Sequence, residues 1–302
     1  MKLVLLAGLA VPAPLAAQVC PPAPPAEFAP SVADSGRLYH GAVSLDGREL
    51  WFFKKVGSDP HAENYRLFRS ILGGQGWGAT QQMTIGAEAS DLYPAFTSDG
   101  RRLVFSSYRR APGDTLAHPS ASLWVADREG SGFGEPNPIG AVASPGYYFS
   151  QVGTRPDGSL YYRRTSPDWK VTESWLSAQD GITWAAPVPD TLVNRWMGWR
   201  ADSLLVWGGE RSPDGNAIVL EIAERDPVTR RPRQTDIWVS VRRNEVWEEP
   251  RRLGPSVNDP AVTDNFAFFS PDGCTLIWTR DFSRFMAASW TAAIHDVTTV
   301  GR

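Results

Sequence analysis

The sequence predicts an all-β fold: a single five-bladed β-propeller of four-stranded antiparallel blades, with six blades as the alternative. Two repeats and one compositional fact carry this expectation. An Asp-Gly turn between apolar runs recurs along the chain, and a short strand with a central aromatic follows each turn after about twenty residues. The 302 residues include 27 Gly, 25 Pro and 13 Trp, which suits many short strands joined by tight turns. No stretch carries the period of a long amphipathic helix.

The chain opens as a secretory signal peptide over residues 1–17. Lys2 supplies the positive start, Leu3 to Val11 an apolar stretch too short to span a bilayer, and Leu15-Ala16-Ala17 a small-residue cleavage site. A lipid anchor on Cys20 is the rival, but Val19 stands where such a signal wants Gly, Ala or Ser. Residues 18–26 form a Pro-rich, extended segment, and residues 27–302 form the propeller. No later apolar run is long enough for a membrane helix. The mature chain is therefore expected to be exported, periplasmic or extracellular, without a transmembrane segment, and monomeric. Thirty-three acids against thirty bases give a net charge of −3, which argues against a nucleic-acid partner.

The turns read SLDG at 44–47, TSDG at 97–100, RPDG at 155–158, SPDG at 212–215 and SPDG at 270–273. Asp bonds its own backbone two residues on, and Gly accepts the positive φ that a side chain resists. Asp46, Gly47, Asp99, Gly100, Asp157, Gly158, Asp272 and Gly273 are accordingly turn formers, not catalytic carboxylates. The third-strand aromatics are Phe68, Trp124, Trp175, Trp238 and Trp290, recurring every 51 to 63 residues. Their repetition marks them as packing between blades. After Trp290 too little chain remains for a fourth strand. The segment from Glu27 to Val32 is expected to complete the last blade and close the ring.

The fourth turn is ambiguous. Spacing favours Asp214, but Trp199 precedes Asp202 by three residues, as Phe96 precedes Asp99 and Phe269 precedes Asp272. That context places the turn at Asp202 and makes 209–234 an insertion.

These residues resemble the TolB-like, WD-type propeller family of exported bacterial proteins, whose repeats carry a Ser-Pro-Asp-Gly turn. The matching stretches are FTSDGRRLVF, RPDGSLYY, FFSPDGCTLIW, LWVAD, DIWVS and WEEPRRLGPSVN at 247–258. The resemblance implies a propeller used as a binding platform. TolB itself has six blades and an extra N-terminal domain, for which this chain lacks the length.

A four-stranded blade puts its Asp-Gly turns on one face of the disc. The other face collects the ends of the second strands, with Lys54, Lys55, Tyr108, Arg109, Arg163, Arg164 and Arg280. It also collects the approaches to the inner strands, with Tyr39, His40, Asp91, Tyr93, Tyr148 and Trp196. Arg forks suit carboxylate, sulfate or phosphate, and aromatic faces suit sugars. The expected function is a non-enzymatic module that recognises a protein, peptide or acidic glycan on this face. The competing account pairs those arginines with Asp91, Asp264 or Asp281 between blades. The alternative function is a glycan-acting hydrolase with paired carboxylates in the central cavity, drawn from Asp91, Glu210, Asp264 and Asp281.

No cofactor or metal is expected, since His40, His61, His118 and His295 show no ligand spacing. No GxSxG elbow appears. The two cysteines, Cys20 and Cys274, are expected to form a disulfide. An exported chain meets an oxidising environment, and Cys274 follows the turn of the blade that the N-terminal segment completes.

Overall fold

The computed structural model describes residues 20, 23–29, 32, 37–57, 64–110, 121–140, 146–168 and 171–295. The expected signal peptide lies outside them, as do His61 and His118.

Five antiparallel sheets surround a common axis. Blade 1 runs outward through Leu38–Val43, Glu49–Lys55, Tyr65–Gly73 and Gln81–Met83. Blade 2 comprises Asp91–Phe96, Arg102–Ser107, Ser122–Glu129 and Asn137–Pro138; blade 3 comprises Tyr148–Thr154, Leu160–Thr165, Thr172–Ser177 and Val188–Pro189. Blade 4 comprises Leu204–Arg211, Ala217–Arg225, Pro232–Arg243 and Arg251–Arg252. In blade 5, Asp264–Phe269, Thr275–Arg280 and Arg284–Ser289 are joined by the N-terminal strand Ala26–Phe28, which pairs with residues 285–287. The chain ends thus meet in one sheet, and five blades close the ring. The closing strand is shorter than the segment expected from sequence. Cys20 and Cys274 are joined by a disulfide across this seam.

Each inner hairpin turns the same way. The N–H of Gly47, Gly100, Gly158, Gly215 and Gly273 donates to the carbonyl three residues back, at 2.8 Å in every case. Each of these glycines has φ between 68° and 80°, which a side chain would strain. The Asp before each glycine accepts the N–H two residues on, at 2.9 to 3.1 Å. A hydroxyl also donates to it: from Ser44, Thr97, Ser212 and Ser270 ahead of the turn, and from Ser159 beyond it in blade 3. The Ser44 hydroxyl and the Arg48 N–H hold the Asp46 carboxyl below its usual range, and the Thr97 hydroxyl does the same for Asp99.

This regularity corrects the fourth turn. It lies at Asp214-Gly215, and residues 217–225 form the ordinary second strand of blade 4 rather than an insertion. The stretch around Asp202 instead follows helix α1 (Thr191–Met197) and a turn whose Leu204 N–H donates to the Arg200 carbonyl. The misleading aromatic, Trp199, packs edge-on between Trp196 and Trp238, so it marks the helix and not a hairpin.

The third-strand aromatics need one correction. Register pairs Phe52 with Phe68, Phe105 with Trp124, Tyr162 with Trp175 and Leu220 with Trp238; the equivalent in blade 5 is Met286, opposite Trp278. Trp290 lies four residues later and starts helix α2 (Trp290–His295), packing edge-on against Phe269.

The core is divided among the seams. Trp51, Phe53, Phe105 and Trp124 fill that between blades 1 and 2; Val104, Phe149 and Tyr162 fill that between 2 and 3. Trp278 with Val239 and Phe268 with Phe52 serve the seams on either side of blade 5. Burying each such aromatic contributes roughly 2–3 kcal/mol. The seam between blades 3 and 4 differs. Helix α1 wedges it, with Val193 and Trp196 packed on Leu204, Val206 and Leu220 of blade 4. Asn194 anchors the helix to blade 3, accepting the Ser174 N–H at 2.7 Å and donating to the Ser174 carbonyl at 2.9 Å. Asp190 caps the helix through the N–H groups of Leu192 and Val193.

Candidate functional site

Every inner strand carries a register shift near its middle: between Leu38 and Gly41, Leu92 and Ala95, Ser150 and Gly153, Val206 and Gly208, and Asn265 and Phe268. Such bulges bend a strand and re-aim its side chains. Tyr93, Gln151 and Phe266 take φ near +50° at these points. The bulges divide the axis into two ends with different chemistry.

At the end away from the turns, aromatic rings fill the side of blades 5, 1 and 2. Tyr39 stacks on Phe53 at 5.0 Å and meets Tyr65, Phe266 and Phe282 edge-on. Tyr93 lies 4.7 Å from Phe53. On the other side, Arg163 of blade 3 donates to the Trp207 carbonyl of blade 4 and to the Ser150 hydroxyl. Glu221 of blade 4 faces the backbone N–H groups of Phe266 and Ala267 of blade 5. Burial pushes its carboxyl up to about 7.

The cations expected on this face are engaged. Arg109 grips the buried Asp91 with both branches, at 2.6 and 3.1 Å, and donates to the Ile85 and Ala87 carbonyls. Arg280 donates to Asp264 at 2.8 Å and to the Val257 carbonyl at 2.8 Å. Both ion pairs lie within one blade, joining inner and second strands, and not between blades as the sequence suggested. Arg164 stacks 3.9 Å over Trp175 and 4.5 Å over Tyr147, with Glu173 at 3.6 Å. Lys54 is buried, its ammonium 5.0 Å from the Phe68 ring. Tyr108 and Tyr148 face each other at 6.5 Å. Trp196 is not on the rim at all: it is buried on α1.

At the turn end the axis holds a cavity of about 260 Å3, bounded by the turn halves of all five inner strands and by Leu45, Ser98, Pro156, Pro213 and Pro271 at its rim. Its walls are apolar where Pro94, Val152 and Phe268 contribute, and polar where His40, Tyr161 and Glu210 meet. Glu210 is central to this group. One of its oxygens accepts the Phe269 N–H at 3.0 Å, the other lies 3.5 Å from His40 Nε2, and the Tyr161 hydroxyl lies beside it. Burial and the Glu210 charge push the Tyr161 phenol up.

Tyr161 belongs to a second strand and reaches the axis only because its register partner on the inner strand is Gly153. A Cβ there would stand 2.0 Å from the Tyr161 oxygen. At the mouth, Arg155 and Arg211 converge on Asp190, whose side chain is 3% exposed. Of the residues expected from sequence, His40 and the candidate carboxylate Glu210 line this cavity. Tyr161, Arg155 and Arg211 were missed; the spacing of Gly153 opposite a tyrosine was the available signal.

The acids considered for a paired-carboxylate mechanism do not assemble. Asp91 and Asp264 are held by arginines at the other end, and Glu210 is the carboxylate among the described lining residues. Among the described residues no group of three or more His, Cys, Asp or Glu could hold a metal ion, and no helix is long and apolar enough to cross a membrane.

No protein-family model matches the sequence, and no curated protein matches it. Among solved structures the chain is similar to a gluconolactonase from Xanthomonas campestris, at 12% identity over 90% of this chain and 95% of that one, with a TM-score of 0.46. It is also similar to a mannose phosphorylase from Leishmania mexicana, at 13% identity over 89% and 88%, with a TM-score of 0.44. A puromycin hydrolase matches at 18% identity over 93% of this chain, with a TM-score of 0.41, and the chain spans 42% of its length. Enzymes thus occur among the propeller neighbours, but likeness at this level carries no argument about activity. What this chain is shown to be is a five-bladed β-propeller closed by its N-terminal strand.

Proposed function

We propose that this chain is an exported, TolB-like propeller that takes a small polar molecule into the axial cavity from the turn face. The single observation behind this reading is the contrast in polar groups. The cations on the opposite face are bonded into the fold, while His40, Tyr161 and Glu210 border open space. The volume suits a ligand of one or two sugar rings' size rather than a protein loop. Export fits the disulfide, which persists in an oxidising compartment. Removal of residues 1–17 would leave the Pro-rich segment leading to the closing strand.

The test is a thermal-shift and calorimetric screen of the mature protein against neutral sugars, polyols and dipeptides. A ligand of this cavity loses about tenfold in affinity in Glu210→Gln and in Tyr161→Phe, the scale of one hydrogen bond to a charged group. Binding that survives both variants but is lost on replacing Arg163 or Arg164 returns the site to the opposite face.

A hydrolytic role is the second reading, favoured by the position of Glu210 between two groups that carry protons, His40 and Tyr161. It would use one carboxylate, since the buried acids Glu221 and Asp190 do not line the cavity. Turnover of chromogenic glycosides or esters that falls by about a hundredfold or more in Glu210→Gln would support it. Unchanged turnover would remove it.

A further inference from the structure

Arg155 and Arg211 give the cavity mouth an uneven charge. Arg155 Nη2 lies 3.1 Å from Asp190 Oδ2, and Arg211 Nη2 lies 2.9 and 3.1 Å from the two Asp190 oxygens. Asp190 is almost wholly buried, but the arginine side chains are 21% and 18% exposed and line the cavity. Two guanidinium groups therefore share one carboxylate, and the Nε of each has no hydrogen-bond partner. Burial and the neighbouring Arg211 together lower the Arg155 pKa, as expected where like charges are held close.

Glu210 does not pair with these arginines. Successive strand residues point to opposite faces, so Glu210 turns from Arg211 toward blades 5 and 1, where the Phe269 N–H and His40 hold it. The turn acid Asp157 also acts on Arg155, but its carboxylate is engaged by the Ser159 N–H and hydroxyl. The two guanidinium groups thus stand on the wall shared by blades 3 and 4, beside the path of an entering ligand. Deeper in, the cavity offers the acceptor and hydroxyl of Glu210 and Tyr161, with an apolar wall at Val152 and Phe268.

Resting on the cavity reading above, we infer that the ligand is a small carboxylic acid bearing hydroxyl groups, of the sugar-acid class. Its carboxylate meets Arg155 and Arg211, and its hydroxyls meet Glu210 and Tyr161. A phosphate dianion would bring a second negative charge toward Glu210. An arginine fork is the donor best shaped for a carboxylate.

Calorimetry with D-glucuronate, D-glucose and inorganic phosphate on the mature, disulfide-bonded protein tests this. Glucuronate is expected to bind about tenfold or more tighter than glucose or phosphate. Arg155→Met and Arg211→Met should each remove about that advantage while leaving glucose binding unchanged. Each single variant leaves Asp190 one arginine, and Arg211→Lys keeps the charge if the methionine variant fails to fold. Equal affinity for glucuronate and glucose, or a preference indifferent to both arginines, overturns the sugar-acid assignment and leaves the cavity reading standing. Tighter binding of phosphate assigns the arginines to a different anion. Absence of binding by both sugars at millimolar concentration overturns the assignment, and the neutral-ligand screen then decides the cavity reading separately.

Discussion

At the end of the axis away from the turns, Arg109, Arg163 and Arg280 each direct their donors to a neighbour within the fold, whereas at the turn end His40, Tyr161 and Glu210 surround open space. The same five inner strands build both ends. The difference comes from what each end leaves unpaired. Beyond the bulges, loops and strand ends expose carbonyls at Ile85, Ala87, Trp207 and Val257, and the long arginines satisfy them. The Asp-Gly turns satisfy themselves with short side chains and their own backbone, so no long side chain is drawn across the axis there. An arginine-rich face is thus a structural seam, and the quieter face holds the cavity.

Ring closure acts on both ends alike, and breaking it should have the largest effect. The disulfide spans 254 residues of sequence, and the chain-entropy estimate for its loss is at most about 5 kcal/mol. Cys20→Ser with Cys274→Ser should lower the melting temperature without changing ligand affinity measured well below it. An unchanged melting temperature would show that the strand Ala26–Phe28 suffices; deleting that strand as well should then abolish cooperative unfolding.

Replacing Arg109 or Arg280 by Met sharpens the contrast directly. Each leaves a buried aspartate unpaired, Asp91 or Asp264, at a cost of about 3–5 kcal/mol. Chemical denaturation would read the loss. Variants that keep full stability but lose a ligand would return the function to this face.

Glu221 gives a pH signature of the closed end. Burial raises its carboxyl from 4.5 to about 7, so between these values the folded chain holds a proton that the unfolded chain releases. This contribution is full below about pH 4.5 and falls as pH rises to about 7, by at most about 3 kcal/mol. Glu221→Gln should flatten that slope in denaturation at pH 5 and pH 8; an identical slope would exclude Glu221 as its origin.

The smallest expected effect on stability is at the open end. Glu210→Gln keeps the size of the side chain and its acceptor for the Phe269 N–H, so a loss of about 1 kcal/mol or less is expected. A loss as large as that of Arg109→Met would make Glu210 a strut and not a ligand group.

Four of the five turns, the period and the closing seam were legible in the sequence, because each depends on residues close together or on a missing strand. Asp46-Gly47 and its equivalents fold locally whatever surrounds them. The fourth turn was legible in the spacing and obscured by Trp199, whose place was decided by packing on α1. The rim of Arg and aromatic residues was also legible as a list, but not its partners. Asp91 and Asp264 bind the arginine of their own blade, a choice set by strand register and by the loop carbonyls nearby. Only the tertiary structure put His40, Tyr161 and Glu210 together, from three blades and from positions with no shared period. Tyr161 reaches the axis through the space at Gly153, and Glu210 turns inward toward an N–H of the next blade. Contacts of that kind depend on how neighbouring sheets face each other, which no local run of residues encodes.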